Sequence, residues 1–261
     1  MTPGESKFPS TPGSMRLPAE LIDHIFSFLQ GDISTLKACS ETHPLFSHLA
    51  EQHIFAEFVV EIHDKYDFGL YKQLFKNPHI LEYPRTLDIC AHVSLTPFLR
   101  REVMPIFSII PRMTNLTSLK ICDSPYSSSL LYGKDSLSTF QNCLQQSSIE
   151  QLHLSRFVYF PLSILDNGKS IKKLTLSDCI AIREPMSKSP LQLLETLIIR
   201  GFHNEVLLSW ATSWSSNLKS LQSSRWWLTK AEGDWTGFVR LLEACSSSLT
   251  KLNLPVVGHS M

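Results

Sequence analysis

Between residues 84 and 254 the chain returns again and again to one short pattern, L-x-x-L-x-L. It is clearest in NLTSLKI, SIEQLHL, SIKKLTL, LLETLII and SLTKLNL, whose first apolar positions are Leu116, Ile149, Ile171, Leu194 and Leu249. Weaker copies, PRTLDI and LKSLQS, begin at Pro84 and Leu218. The seven onsets are separated by 32, 33, 22, 23, 24 and 31 residues. Alternation along an extended strand sends the second and third apolar residues of each copy inward and their neighbours outward. Leu174 and Leu176 therefore belong to a core, and Lys173 and Thr175 do not. Between copies lie runs at helical spacing: Leu137, Phe140 and Leu144; Val206, Leu207, Trp210 and Trp214; Phe238, Leu241, Leu242 and Cys245. A strand followed by a helix, repeated, predicts an α/β chain whose units bury their apolar faces by stacking, with the strands in one parallel sheet.

This pattern resembles an irregular leucine-rich repeat array, for which repeats of about 20 to 29 residues are usual. The resemblance covers 81–261 and implies a curved solenoid with the parallel sheet on its concave face. That face would carry Thr86, Asp88, Ser118, Lys120, Gln151, His153, Lys173, Thr175, Thr196, Ile198, Arg200, Ser220, Gln222, Lys251 and Asn253. Lys120, His153, Lys173, Arg200 and Lys251 outnumber Asp88, which suits an acidic or phosphorylated target and equally suits ordinary solvated charge. Trp210, Trp214, Trp226, Trp227 and Trp235 cluster in the last third. Consecutive Trp226 and Trp227 on a strand cannot both point inward, so Arg225 and Trp226 join Lys120, His153, Lys173, Thr175, Arg200 and Lys251 as candidate target contacts. The last copy, SLTKLNL, is followed only by PVVGHSM, so its apolar edge calls for a cover from a partner or from a longer version of the array.

The other end of the chain is different. Ten of the first fourteen residues are Pro, Gly, Ser or Thr, a composition that predicts a disordered tail over 1–14. Pro18 then suits the first turn of a helix. Leu21, Ile25, Phe28 and Leu29 form one helical stripe, opposed by Glu20, Asp23 and Ser27, and Gly31 ends the helix. Asp32 or Ser34 can cap a second short helix carrying Ile33, Leu36 and Cys39. Pro44 opens a third with Leu45, Leu49 and Phe55. Three short helices make a bundle near the lower size limit for an independent fold, so a partner, or docking on the rest of the chain, is expected to support it.

LPAELIDHIFSFL followed by ISTLKACSETHPLFSHLAEQHIF resembles an F-box, with the Leu-Pro-x-Glu-Leu start and a Leu-x-x-Cys step in the second helix. The chain departs from the family in lacking the Trp or Tyr often found near the end of the motif, Phe46 and Phe55 being the available aromatics. The resemblance implies an F-box over 15–60, joined by a helical segment, 61–80, to the repeats. It further implies binding to a Skp-type adaptor and through it a cullin. Leu17, Pro18, Leu21, Ile25, Leu29, Leu36 and Leu45 would divide between the miniature core and the adaptor surface, Leu17 and Pro18 being the foremost adaptor contacts. The alternative is that the stripe packs on the first repeat as a cap of the array.

Charge and motifs exclude other classes. Lys plus Arg and Asp plus Glu both number 24, so no net field favours nucleic acid or an anionic membrane. The six cysteines, at 39, 90, 122, 143, 179 and 245, are too far apart for a metal or redox knuckle and read as packed thiols. No phosphate-binding glycine loop, G-x-S-x-G elbow or H-E-x-x-H occurs. His43, His48 and His53 are spaced by five, which turns each about 140 degrees from the last, so they cannot share a metal from one helix face. The expectation is a soluble cytoplasmic or nuclear protein, no enzyme, without cofactor: the substrate-recognition subunit of a Skp-cullin-F-box ubiquitin ligase, or else a repeat-based interaction scaffold unconnected with ubiquitin.

Overall fold

The computed structural model describes residues 17–63, 76–92, 106–123, 134–182, 191–201, 205–213, 217–223 and 236–254. The tail 1–14, Trp214, Arg225, Trp226, Trp227, Trp235 and the final PVVGHSM lie outside these residues, as do 64–75 of the connector expected over 61–80. The chain divides into two compact units, Met1–Ile54 and Phe55–Met261.

The first unit is helical. α1 (Ala19–Phe28) follows Pro18, α2 (Ile33–Ser40) follows Asp32, and α3 (Pro44–Ile54) opens on Pro44. Asp32 caps α2: its carboxylate accepts from the Thr35 backbone N–H at 3.1 Å and from the Ser34 and Thr35 hydroxyls at 2.7 Å each. These bonds hold its pKa down, at about 2, although the side chain is fully exposed. Gly31 stands at φ 105, where a side chain is disfavoured, and turns the chain from α1 to α2. The core is Ile22, Phe26, Leu36, Leu49 and Ala50, with Ala19, Leu29, Cys39, Phe46 and Ile54 packed around it. Phe26 meets Phe46 edge-on with centroids 5.9 Å apart, and His53 bonds Asp23 at 2.8 Å, tying α3 to α1.

The second unit is mixed α/β around a parallel sheet of eight strands. These are β1 (Glu57–Ile62), β2 (Thr86–Ala91), β3 (Ser118–Cys122), β4 (Gln151–Ser155), β6 (Lys173–Ser177), β8 (Thr196–Arg200), β9 (Ser220–Ser223) and β10 (Lys251–Asn253), adjacent in that order. Two further strands, β5 (Val158–Pro161) and β7 (Ile180–Ile182), pair in a small second parallel sheet. Helices α4 (Lys134–Gln146), α5 (Glu205–Thr212) and α6 (Thr236–Cys245) fall on the three helical runs.

Strand registers align the signatures residue for residue, so their apolar positions stack into ladders. Leu87, Leu119, Leu152, Leu174, Leu197 and Leu221 form one ladder, and Ile89, Ile121, Leu154, Leu176 and Ile199 the next, all buried. The first apolar positions, Leu116, Ile149, Ile171, Leu194 and Leu218, are buried beside them. Phe140 of α4 seals this core against Phe107, ring centroids 5.4 Å apart. The turns into β2, β3, β4, β6, β8, β9 and β10 repeat one hydrogen-bond device: the carbonyls of Ala56, Arg85, Thr117, Glu150, Lys172, Glu195 and Lys219 each accept two successive N–H groups from the next strand's start. Arg156, Asp178 and Gly201, each one residue past its strand, have positive φ (62, 53 and 72). A Cβ at Gly201 would meet Asp178 Oδ1, so any other residue there needs a strained φ and a displaced Asp178 side chain.

Two boundaries differ from the sequence reading. The third helix ends at Ile54, before Phe55, and residues 57–62 are a sheet strand instead of the end of the helical module or the start of a helical connector. EFVVEI alternates outward Glu57, Val59 and Glu61 with buried Phe58, Val60 and Ile62, and this two-residue period favours a strand. A 3-10 helix, Pro78–Glu82, runs from the end of the expected helical connector into the first two residues assigned to the repeats.

Candidate functional site

α1 carries two apolar lines about 100 degrees apart. Ile22 and Phe26 enter the core, with Leu29 half-buried behind them. Leu17, Leu21, Ile25 and Phe28 run along a neighbouring line and are 55, 49, 49 and 77% exposed. Pro18 is exposed beside them, and Leu45, at the start of α3, is exposed as well. The sequence stripe of Leu21, Ile25, Phe28 and Leu29 therefore straddles the edge between core and solvent. Leu36, a candidate contact on sequence, is fully buried at the centre of the bundle, where it has no surface to offer. Leu29 shows only part of its side chain. Three large apolar side chains in line on one short helix, with Leu17 just before its N-terminus, make a ridge that a partner's groove can cover, in the manner of an amphipathic helix. Covering half a leucine or isoleucine side chain is worth about 1 kcal/mol.

The solvent side of the sheet is built in rows. The central row across the register is Val59, Asp88, Lys120, His153, Thr175, Ile198, Gln222 and Asn253. Lys120 Nζ bonds Asp88 Oδ2 at 2.5 Å, which holds the ammonium more firmly protonated than usual and cancels its charge on the face. His153 Nε2 lies 3.1 Å from Ser177 Oγ, and burial, with Lys120 and Arg200 nearby, lowers its pKa. Thr175 is buried, contrary to its expected outward exposure, and so is Ile198. Thr175 sits in register between His153 and Ile198, whose larger side chains shade its short one. Lys173, Arg200 and Lys251 are exposed, with no ion pair to another described residue.

A further row, Glu61, Cys90, Cys122, Ser155, Ser177 and Arg200, was missed on sequence apart from Arg200. Its signal was the same two-residue alternation carried one step past each signature. Cys122 Sγ accepts from Arg156 Nε at 3.1 Å and from Nη2 at 2.7 Å, and the Cys90 thiol donates to Asp88. The cysteines are unpaired, and burial pushes the Cys143 and Cys179 thiols up to about 12, which suits packed, unreactive groups. Among the described residues no helix is long and apolar enough to cross a membrane. No protein-family model matches the chain, and no curated protein matches it significantly.

Proposed function

We propose that this chain is the substrate-recognition subunit of a Skp-cullin-F-box ubiquitin ligase, in which the helical unit acts as an F-box and the sheet unit as a leucine-rich-repeat-like array that holds the target. The observation that carries this reading is the exposed line Leu17, Leu21, Ile25 and Phe28 on a bundle whose core is already supplied by Ile22, Phe26, Leu36, Leu49 and Ala50. A helix that needed apolar residues only for its own core would stop at one line. The second line has the form of a docking ridge, and it begins at the Leu17-Pro18 start that resembles the F-box motif. On this reading the chain catalyses nothing. It tethers a target near a conjugating enzyme charged elsewhere in the complex, raising the effective concentration of target lysines, and it works in the cytoplasm or nucleus. Lys173, Arg200 and Lys251 supply positive charge for the target.

The test is capture of a purified Skp-type adaptor by the full chain. Wild type retains it, and Leu17→Ala with Pro18→Ala weakens retention while the circular dichroism spectrum is unchanged. A wild-type chain that retains no adaptor would leave the interaction scaffold, using the sheet face alone, as the better account.

A further inference from the structure

Two histidines and a glutamate meet on the solvent side of the sheet where β1 and β2 end. Alternation puts Glu61 and His63 on one side of the first strand's path, and Cys90 and His92 on the same side of the second. The register pairs Glu61 with Cys90 and Ile62 with Ala91, and the His92 N–H continues the ladder to the Ile62 carbonyl at 3.0 Å. His63 and His92 are thereby placed side by side. Their rings stack with centroids 4.6 Å apart and planes 6° from parallel, and His63 Nε2 lies 3.3 Å from Glu61 Oε2. One ligand atom from each of the three lies within 4.8 Å of the others, and all three residues are exposed.

We propose that Glu61, His63 and His92 form a binding site for a borderline first-row divalent cation of the Zn2+ type. Neutral imidazoles with one carboxylate are a donor set such ions favour, and three protein ligands leave a fourth position for water or another ligand. With metal–ligand bonds of about 2.0–2.1 Å, tetrahedral donors stand roughly 3.3 Å apart. The Glu61–His63 gap already has that length. His92 stands within 4.8 Å of both and is exposed, so its ring has room to turn out of the stack toward the ion. Hard cations such as Mg2+ and Ca2+ are poorly served, because they take six or more ligands, chiefly oxygen. The bound ion would clip β1, paired among the described residues only with β2, to the rest of the sheet.

The experiment is calorimetric titration of the full chain, kept reduced, with Zn2+ alone and separately with Mg2+ alone. Wild type is compared with His63→Ala/His92→Ala, Glu61→Gln and Cys90→Ser. The expected result is one Zn2+ per chain, no Mg2+ binding, and affinity weakened at least about tenfold in the double histidine variant. Glu61→Gln weakens binding in the same direction, and Cys90→Ser leaves it unchanged. Wild-type affinity in both the histidine and glutamate variants would overturn the proposal, as would a wild-type Kd weaker than about 1 mM. Loss of binding in Cys90→Ser equal to that in the histidine variant would assign the ion to the thiols and overturn Glu61, His63 and His92 as its ligand set.

Discussion

Leu21 and Ile22 are consecutive in the chain and live in different media: Leu21 is 49% exposed, and Ile22 is 6% exposed inside the helical core. A helix advances about 100 degrees per residue, so neighbouring positions can serve neighbouring faces. On the proposed reading, stability and partner binding therefore separate by a single residue. We expect Ile22→Ala to cost about 2–4 kcal/mol, the range for emptying a buried aliphatic site, and to lower the denaturation midpoint of the helical unit. Leu21→Asp should change stability by no more than about 0.5 kcal/mol, yet weaken adaptor capture at least about tenfold. Matching stability losses in the two variants would show that both lines are core.

The same pair marks how far the sequence could be read. The strands at Leu119, Leu152, Leu174, Leu197 and Leu221 follow from the signature alone, because a two-residue period with leucines on one side has one economical solution. β1 was hidden because FVVEI carries its inward Phe58, Val60 and Ile62 without the leading leucine of the signature. Burial in the middle of the polar face was hidden for another reason. Whether Thr175 sees water depends on His153 and Ile198, which lie 22 and 23 residues away and meet it only in the assembled register. On α1 the apolar positions were legible, but periodicity by itself does not say which of two adjacent lines takes the core.

Asp32 gives a pH dependence in the acid range. Its carboxyl is held at about 2 by the Ser34 and Thr35 bonds, against an ordinary 3.8, so the folded state favours the charged form. That contribution is fully present above about pH 4 and is lost as pH falls toward 2. Asp32→Asn keeps an acceptor for the Thr35 N–H but cannot titrate. We expect thermal melts of wild type to drop more steeply than those of Asp32→Asn between pH 4 and 2. Parallel curves for the two proteins would remove the role assigned to the cap.

His153 acts nearer to neutral pH. Burial first, and then Lys120 and Arg200, depress its pKa below the ordinary 6.5, so the folded state prefers the neutral ring. The unfolded chain takes up this proton near 6.5 and the folded chain only at lower pH, so stability is lost as pH falls below about 6.5. His153→Gln can still reach the Ser177 hydroxyl and has no proton to gain. Because other histidines titrate in the same window, the quantity to measure is the difference between the two proteins. The wild type should lose more stability than His153→Gln between about pH 7 and pH 5.

Lys173 and Arg200 test the reading of the sheet face. Both are exposed on its solvent side, whereas Lys120 is neutralised by Asp88. Once a target is captured, Lys173→Glu with Arg200→Glu should slow its association and weaken it, with the loss shrinking as salt is raised. Lys120→Gln should do less to the target and more to the fold, because it leaves Asp88 without its ion pair on a face where that carboxylate is only 20% exposed. Equal effects of the two replacements on target binding would show that charge on this face is not what the target reads.

Gly201 and Asp178 provide the sharpest test of the positive-φ turn that follows β4, β6 and β8. Gly201 has φ 72, and an alanine Cβ there would fall on Asp178 Oδ1, so Gly201→Ala brings backbone strain and a collision together. The strain amounts to about 1–2 kcal/mol, and the collision adds to it. Asp178→Gly removes the carboxylate and suits its own φ of 53. In that background Gly201→Ala should cost less than in the wild type, with only the strain remaining. Denaturant titration of the two single variants and the double measures the coupling directly. Additive losses would mean that the Asp178 side chain swings away freely and that strain alone keeps residue 201 a glycine.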